Sequence, residues 1–164
     1  MISDILVNVD SSHSRKLHVN HTVYEPLGRS LIAVSVETKT DTPSTEAVIQ
    51  LNIWFAAWYK RMYYLRTQWG FERKRGLATN NAHQLVTIPL IKVVGQEWNV
   101  YLVCDLTHQI HIYGPFNIGS TCSLASAYVL LASLEAIQDW IKGSFYDAMK
   151  EWFICDAEME RKVR

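Results

Sequence analysis

With 164 residues, 49% of them hydrophobic and 20% charged, the chain can bury a sizeable core and is too apolar to be a disordered segment. Sixteen basic and sixteen acidic side chains cancel, which excludes a global field that would draw the protein to nucleic acid or to a membrane. Cys104, Cys122 and Cys155 cannot all pair and none stands in a Cys-x-x-Cys, so no disulfide framework is expected. A reducing compartment, nucleus or cytoplasm, follows as the expectation. There is neither a basic-then-apolar leader after Met1 nor an uninterrupted apolar run of membrane-spanning length, so the chain reads as not secreted and not membrane-bound.

In chain order, Asp4-Ile5-Leu6-Val7-Asn8-Val9 predicts a short strand that begins almost at the first residue. A chain that opens in mid-sheet reads either as missing a preceding element or as a trimmed form of a larger domain. Residues 10–29 are polar, hold Pro26 and Gly28, and read as a loop. Residues 30–39 form the clearest strand: Ile32, Val34 and Val36 fall on one face, and Leu31, Ala33, Ser35, Glu37 and Lys39 on the other. That second face turns from apolar to charged along its length, as a core strand does when it runs out into a site. Thr42-Pro43 offers an N-cap and a first-turn proline for a helix over 44–69. Val48, Leu51, Phe55, Trp58, Met62, Leu65 and Trp69 recur there at steps of three and four, a core stripe. Gln50, Trp54, Ala57 and Arg61 make a row about 100° round the helix, at the margin of the buried face.

A basic, polar loop over 70–84 precedes three strand-like runs at 85–94, 98–106 and 109–113, with turns at Gly95-Gln96 and Thr107-His108 that predict an antiparallel meander. Ser120 or Thr121 caps a second long helix over 122–142, apolar at Leu124, Tyr128, Leu131, Leu134, Ile137, Trp140 and Ile141. Gly143 is expected to break it before a last amphipathic turn with Phe145, Met149, Trp152 and Phe153; residues 156–164 make a charged tail. The whole reads as one domain over 1–164.

Phosphodiester hydrolysis needs a divalent ion held by carboxylates, an activated water, and positive charge beside the developing oxyanion. Glu37-Thr38-Lys39 at a strand end sets a carboxylate and an ammonium side by side. Glu37 is suited to Mg²⁺ or Mn²⁺, the Thr38 carbonyl can add a ligand, and Lys39 can hold the water or steady the phosphorane. A surface ion pair is the plain alternative. The second acid is expected from a neighbouring strand, where Asp4 is the acidic residue, with Glu25 and Asp10 as substitutes in the loop. Lys60, Arg61, Arg66, Arg73, Lys74 and Arg75 stand against Glu72 alone, interleaved with Tyr63, Tyr64, Trp69 and Phe71. That segment suits a DNA or RNA backbone, or equally a solvated helix end.

Other constellations fail on chemistry. Gly114-Pro115-Phe116-Asn117-Ile118-Gly119-Ser120-Thr121 lacks the lysine of a phosphate-binding loop, and a turn with a helix cap accounts for its glycines. His18/His21 and His108/His111 are spaced to point opposite ways from a strand, which disfavours zinc. Nothing suggests a Ser-His-Asp or Cys-His arrangement.

A strand ending in Glu-x-Lys, then a helix with Gln50 and Trp54 as Gln-x-x-x-aromatic, resembles the PD-(D/E)xK nuclease superfamily, in particular its Gln-x-x-x-Tyr branch. Asn20-His21-Thr22, Tyr24-Glu25-Pro26-Leu27, Ile32-Ala33-Val34-Ser35-Val36-Glu37-Thr38-Lys39, Gln50-Leu51-Asn52-Ile53-Trp54-Phe55-Ala56-Ala57-Trp58, Leu90-Ile91, Gly95-Gln96-Glu97-Trp98 and Ile118-Gly119-Ser120-Thr121 resemble, in order, the nuclease-like domain of many fungal proteins. The resemblance implies an α/β fold with a restriction-endonuclease-like core, a central mixed sheet flanked by two long helices. It implies Asp4, Glu37 and Lys39 as the metal and catalytic set, with Gln50 in support. The family's helix before the first acidic strand has no counterpart, which agrees with N-terminal truncation; Ser3 replaces the usual proline, a departure that bears on the register placing Asp4 in that role. The function expected is Mg²⁺-dependent hydrolysis of DNA or RNA. The alternatives are a catalytically inactive scaffold that recruits a protein partner or a second copy, and a non-nuclease enzyme in the same pocket.

Overall fold

A computed structural model describes residues 19–20, 24, 27, 30–40, 44–68, 84–106 and 109–154. The expected first strand, the Thr42-Pro43 cap, the basic loop and the charged tail lie outside them. The described elements are β1 (Ser35–Lys39), α1 (Ser44–Gln68), β2 (Ile88–Val94), β3 (Glu97–Asp105), β4 (Ile110–Ser120), α2 (Leu124–Trp140), a π-helical turn (Ile141–Phe145) and α3 (Tyr146–Ile154). The strands form one mixed sheet in the order β1-β2-β3-β4. β1 and β2 run parallel with α1 between them in sequence, and β2, β3 and β4 form the antiparallel meander.

The sheet is covered on both faces. On one, Leu51, Phe55, Trp58, Met62 and Leu65 of α1 pack with Ile88, Leu90, Tyr101 and Val103 of the sheet. Phe145, Met149, Trp152 and Phe153, at and beyond the π-helical turn, complete this core. On the other face Ile91, Val93 and Val100 meet Leu134 and Ile137 of α2. The helical run from α2 to α3 thus serves both faces, and the π turn lies where it passes from one core to the other. Gly143 does not break the helix as its type led us to expect. It sits in the π turn with open space where a Cβ would stand, so the position tolerates glycine without requiring it.

Three further expectations are corrected. The stretch from Gly114 to Ser120 is not a turn and cap but the second half of β4, whose register against β3 shifts between Trp98 and Asn99 and between Val100 and Leu102. Gly119 (φ 130°) is needed there because a Cβ would stand 2.6 Å from the backbone nitrogen of Leu130. Ser123, not Ser120 or Thr121, caps α2, its hydroxyl accepting from the Ser126 amide at 3.2 Å. Finally, α2 rests on the sheet through Leu130, Leu134 and Ile137, while Leu124, Tyr128 and Leu131 of the expected stripe are exposed. The close seat at Gly119 selects which face of an apolar helix turns inward.

Asn20 anchors the approach to β1. Fully buried, its side-chain amide donates to the Leu27 and Ser30 carbonyls, and its Oδ1 accepts from the Ile32 amide at 3.1 Å. One side chain thereby satisfies three backbone groups of an irregular segment that would otherwise be buried unpaired.

Candidate active site at the carboxyl ends of β1 and β2

Alternation along β1 puts Ser35, Glu37 and Lys39 on one face, and the parallel register sets Leu90, Lys92 and Val94 beside them. Leu90 and its β3 partner Tyr101 belong to the α1-side core, so this charged row lies on the α1 face of the sheet. Glu37 is buried while Val36 is 45% exposed: the face carrying the charges, not the apolar one, is turned inward at the end of β1. Lys39 Nζ lies 3.1 Å from Glu37 Oε1. The end of β1 is pinned to the β2–β3 hairpin, where the Gly95 amide donates to the Lys39 carbonyl at 3.0 Å. Parallel strands with a helical crossover place ligand sites at their carboxyl ends, which is where Glu37, Lys39 and Lys92 stand.

Lys92 is the residue that sequence reasoning missed. It lies opposite Glu37 in register, is 7% exposed, and its Nζ is 5.8 Å from the centroid of the Tyr101 ring. A signal existed: Leu90-Ile91-Lys92-Val93-Val94 has one charge in an apolar run. Asn99 is its β3 partner. Glu97, opposite Val94, is exposed and accepts from Asn117 Nδ2 at 2.9 Å.

The other expected residues are placed as follows. Gln50 is half-buried in the second turn of α1, one position before core residue Leu51, at the end of the helix that follows Lys39. Asp4 lies outside the described residues, as do Arg73, Lys74 and Arg75. Lys60 is exposed. Arg61 stacks over Tyr64 at 5.4 Å, and burial pulls its pKa below the ordinary arginine value. Arg66 is buried, its guanidinium 4.3 Å from the Trp152 ring centroid. The basic residues of α1 therefore point to different surroundings and do not line up as one exposed stripe.

A second buried polar group lies at the far end of the sheet. Asp105, at the end of β3, accepts from Tyr63 Oη at 2.6 Å, the Leu85 amide at 3.0 Å and Tyr59 Oη at 3.4 Å. Burial, and then the bond to Asp105, push the Tyr63 hydroxyl well above its ordinary pKa, so it stays a neutral donor. Tyr63 also stacks on Tyr59 and meets Trp152 edge-on. This cluster ties α1, β3 and α3 together.

The model of the PD-(D/E)XK nuclease superfamily matches residues 2–146 of the chain. The chain belongs to that superfamily. The matched stretch takes in Asp4, Glu37, Lys39, Gln50 and Lys92. No curated protein and no solved structure matches it. The mixed sheet with helices on both faces is consistent with a restriction-endonuclease-like core.

PD-(D/E)XK nucleases generally use divalent metals, and hard cations such as Mg²⁺ and Mn²⁺ take oxygen ligands. Among the described residues no three His, Cys, Asp or Glu side chains come together as a metal cluster. Glu37 suits one ligand position, with Lys39 already on one of its oxygens; the described residues alone do not make a complete site. No helix among the described residues is long and apolar enough to cross a membrane, and Cys104 and Cys122 are free thiols.

Proposed function

We propose that this PD-(D/E)XK protein hydrolyses phosphodiester bonds in DNA or RNA at Glu37 and Lys39, with Mg²⁺ or Mn²⁺ as cofactor. The observation that carries the reading is the Glu37–Lys39 pair turned to the inner, α1 face at the carboxyl end of a parallel strand. Glu37 would hold the ion together with Asp4. When bound, a divalent ion supplies Lewis-acid polarisation of the phosphate and a water of lowered pKa. Lys39, about a quarter exposed, keeps an ammonium with three donors next to the carboxylate, where negative charge grows in the transition state. Gln50 supports the site from α1. Lys60 and Arg61, with Arg73, Lys74 and Arg75, extend the contact along the nucleic-acid backbone.

The test is cleavage of labelled single-stranded and duplex DNA and RNA with Mg²⁺, with Mn²⁺ and with EDTA. Wild-type cleavage should require the metal. Glu37→Gln should lower it by more than about a hundredfold, beyond the roughly 10–100-fold cost of losing a residue that only orients a ligand. Lys39→Met should cost about 10²–10³-fold. Cleavage unchanged in both variants would remove the site from Glu37 and Lys39.

One observation favours a second reading, a scaffold of the same fold. Leu124 is 74% exposed, and Tyr128, Val129 and Leu131 beside it on α2 are exposed as well. A surface of that kind suits a protein partner or a second copy. A folded wild type that cleaves none of the substrates favours this reading.

A further inference from the structure

Lys92 needs a physical account. An ammonium in an apolar strand loses its hydration, and the loss costs several kcal/mol unless an opposite charge or hydrogen bonds replace the water. Its Nζ lies 5.8 Å from the centroid of the Tyr101 ring, and a cation over an aromatic ring recovers only about 0.5–2 kcal/mol. Glu37 is opposite in register but is already engaged by Lys39 at 3.1 Å. Glu97, the β3 acid at the hairpin end, is engaged by Asn117. Lys92 thus stands at a largely buried position beside a Glu37 that Lys39 already engages.

We propose that Lys92 and Lys39, standing on either side of Glu37, form a two-cation seat for a backbone phosphate of nucleic acid. Lys39 meets the phosphate from the open rim, and Lys92 meets it from the floor, one strand over. The assignment rests on the nuclease reading for its ligand class, yet its test does not depend on cleavage. In this arrangement Lys92 adds a second positive charge beside Lys39 at a largely buried strand position, where screening by water is reduced.

The experiment is equilibrium binding of a fluorescent oligothymidylate in EDTA across a salt series, for wild type, Lys92→Met, Lys92→Arg and Lys39→Met. Thermal stability and circular dichroism are recorded for each. Wild type should bind with a salt-dependent affinity. Lys92→Met should bind several-fold more weakly, with a log–log salt slope smaller by about 0.7, the loss of one phosphate contact on a single strand. Lys92→Arg should keep the slope. Lys92→Met should be at least as stable as wild type, because an apolar chain of similar length replaces a buried charge. An unchanged slope in folded Lys92→Met overturns the seat while leaving Glu37 and Lys39 as a cleavage site. Absence of wild-type binding overturns the seat outright. Binding with the predicted slopes but without metal-dependent cleavage supports the seat and rejects the nuclease reading.

Discussion

At the scale of single residues the molecule separates two kinds of buried polar group. Asp105 accepts from two tyrosines and a backbone amide, as a structural carboxylate should. Lys92 has an aromatic ring and an occupied carboxylate opposite. The first reads as architecture and the second as a site. The Tyr63–Asp105 bond carries a pH prediction. Because burial and the bond raise the Tyr63 pKa above 10.0, its unfolded value, the folded state holds that proton more tightly. Its contribution is therefore complete below pH 10 and is lost as pH rises beyond it. Tyr63→Phe should cost about 1.5–3 kcal/mol at neutral pH, the worth of a hydrogen bond to a charged group. Denaturant melts should also show a shallower decline above pH 10 in the variant; an equal decline would place the alkaline sensitivity elsewhere. None of this cluster was legible in the sequence, since Tyr63 and Asp105 are 42 positions apart and periodicity reports only local neighbours.

At the scale of elements, patterns with a local cause survived. The three-four stripe of α1 is the stripe that packs, from Leu51 to Leu65, and the hairpin at Gly95 follows its turn residues, with φ 56° at that glycine. The failures share one origin, contacts between distant elements. Gly114 and Gly119 read as turn punctuation, yet they lie within a strand whose backbone closely approaches Tyr101 and Leu130. The inward face of α2 followed from that approach, not from which residues are apolar, because the helix is apolar nearly all round. Gly119→Ala makes this checkable. A methyl group there meets backbone atoms of Leu130 at 2.6–2.7 Å and a φ of 130°, so α2 must shift off the sheet. We expect a loss of about 1–3 kcal/mol or more, with amide exchange faster in α2 and β4 and little changed in α1. Uniform acceleration across the chain would show that α2 is not seated separately.

At the scale of the whole molecule, two core layers hold a sheet whose parallel pair ends in Glu37, Lys39 and Lys92. The Glu-x-Lys pair was legible because alternation along one strand is a local rule. Lys92 was not, because its place beside Glu37 is set by inter-strand register, which a lone lysine in an apolar run does not reveal. The central claim is that Glu37 belongs to a site for a divalent ion. Calorimetric titration of Mn²⁺ and Mg²⁺ into the wild type and into Glu37→Ala tests it most directly. The account predicts saturable binding to the wild type that disappears in a folded Glu37→Ala protein. A folded wild type that takes up neither ion, or binding that survives in Glu37→Ala, would contradict it.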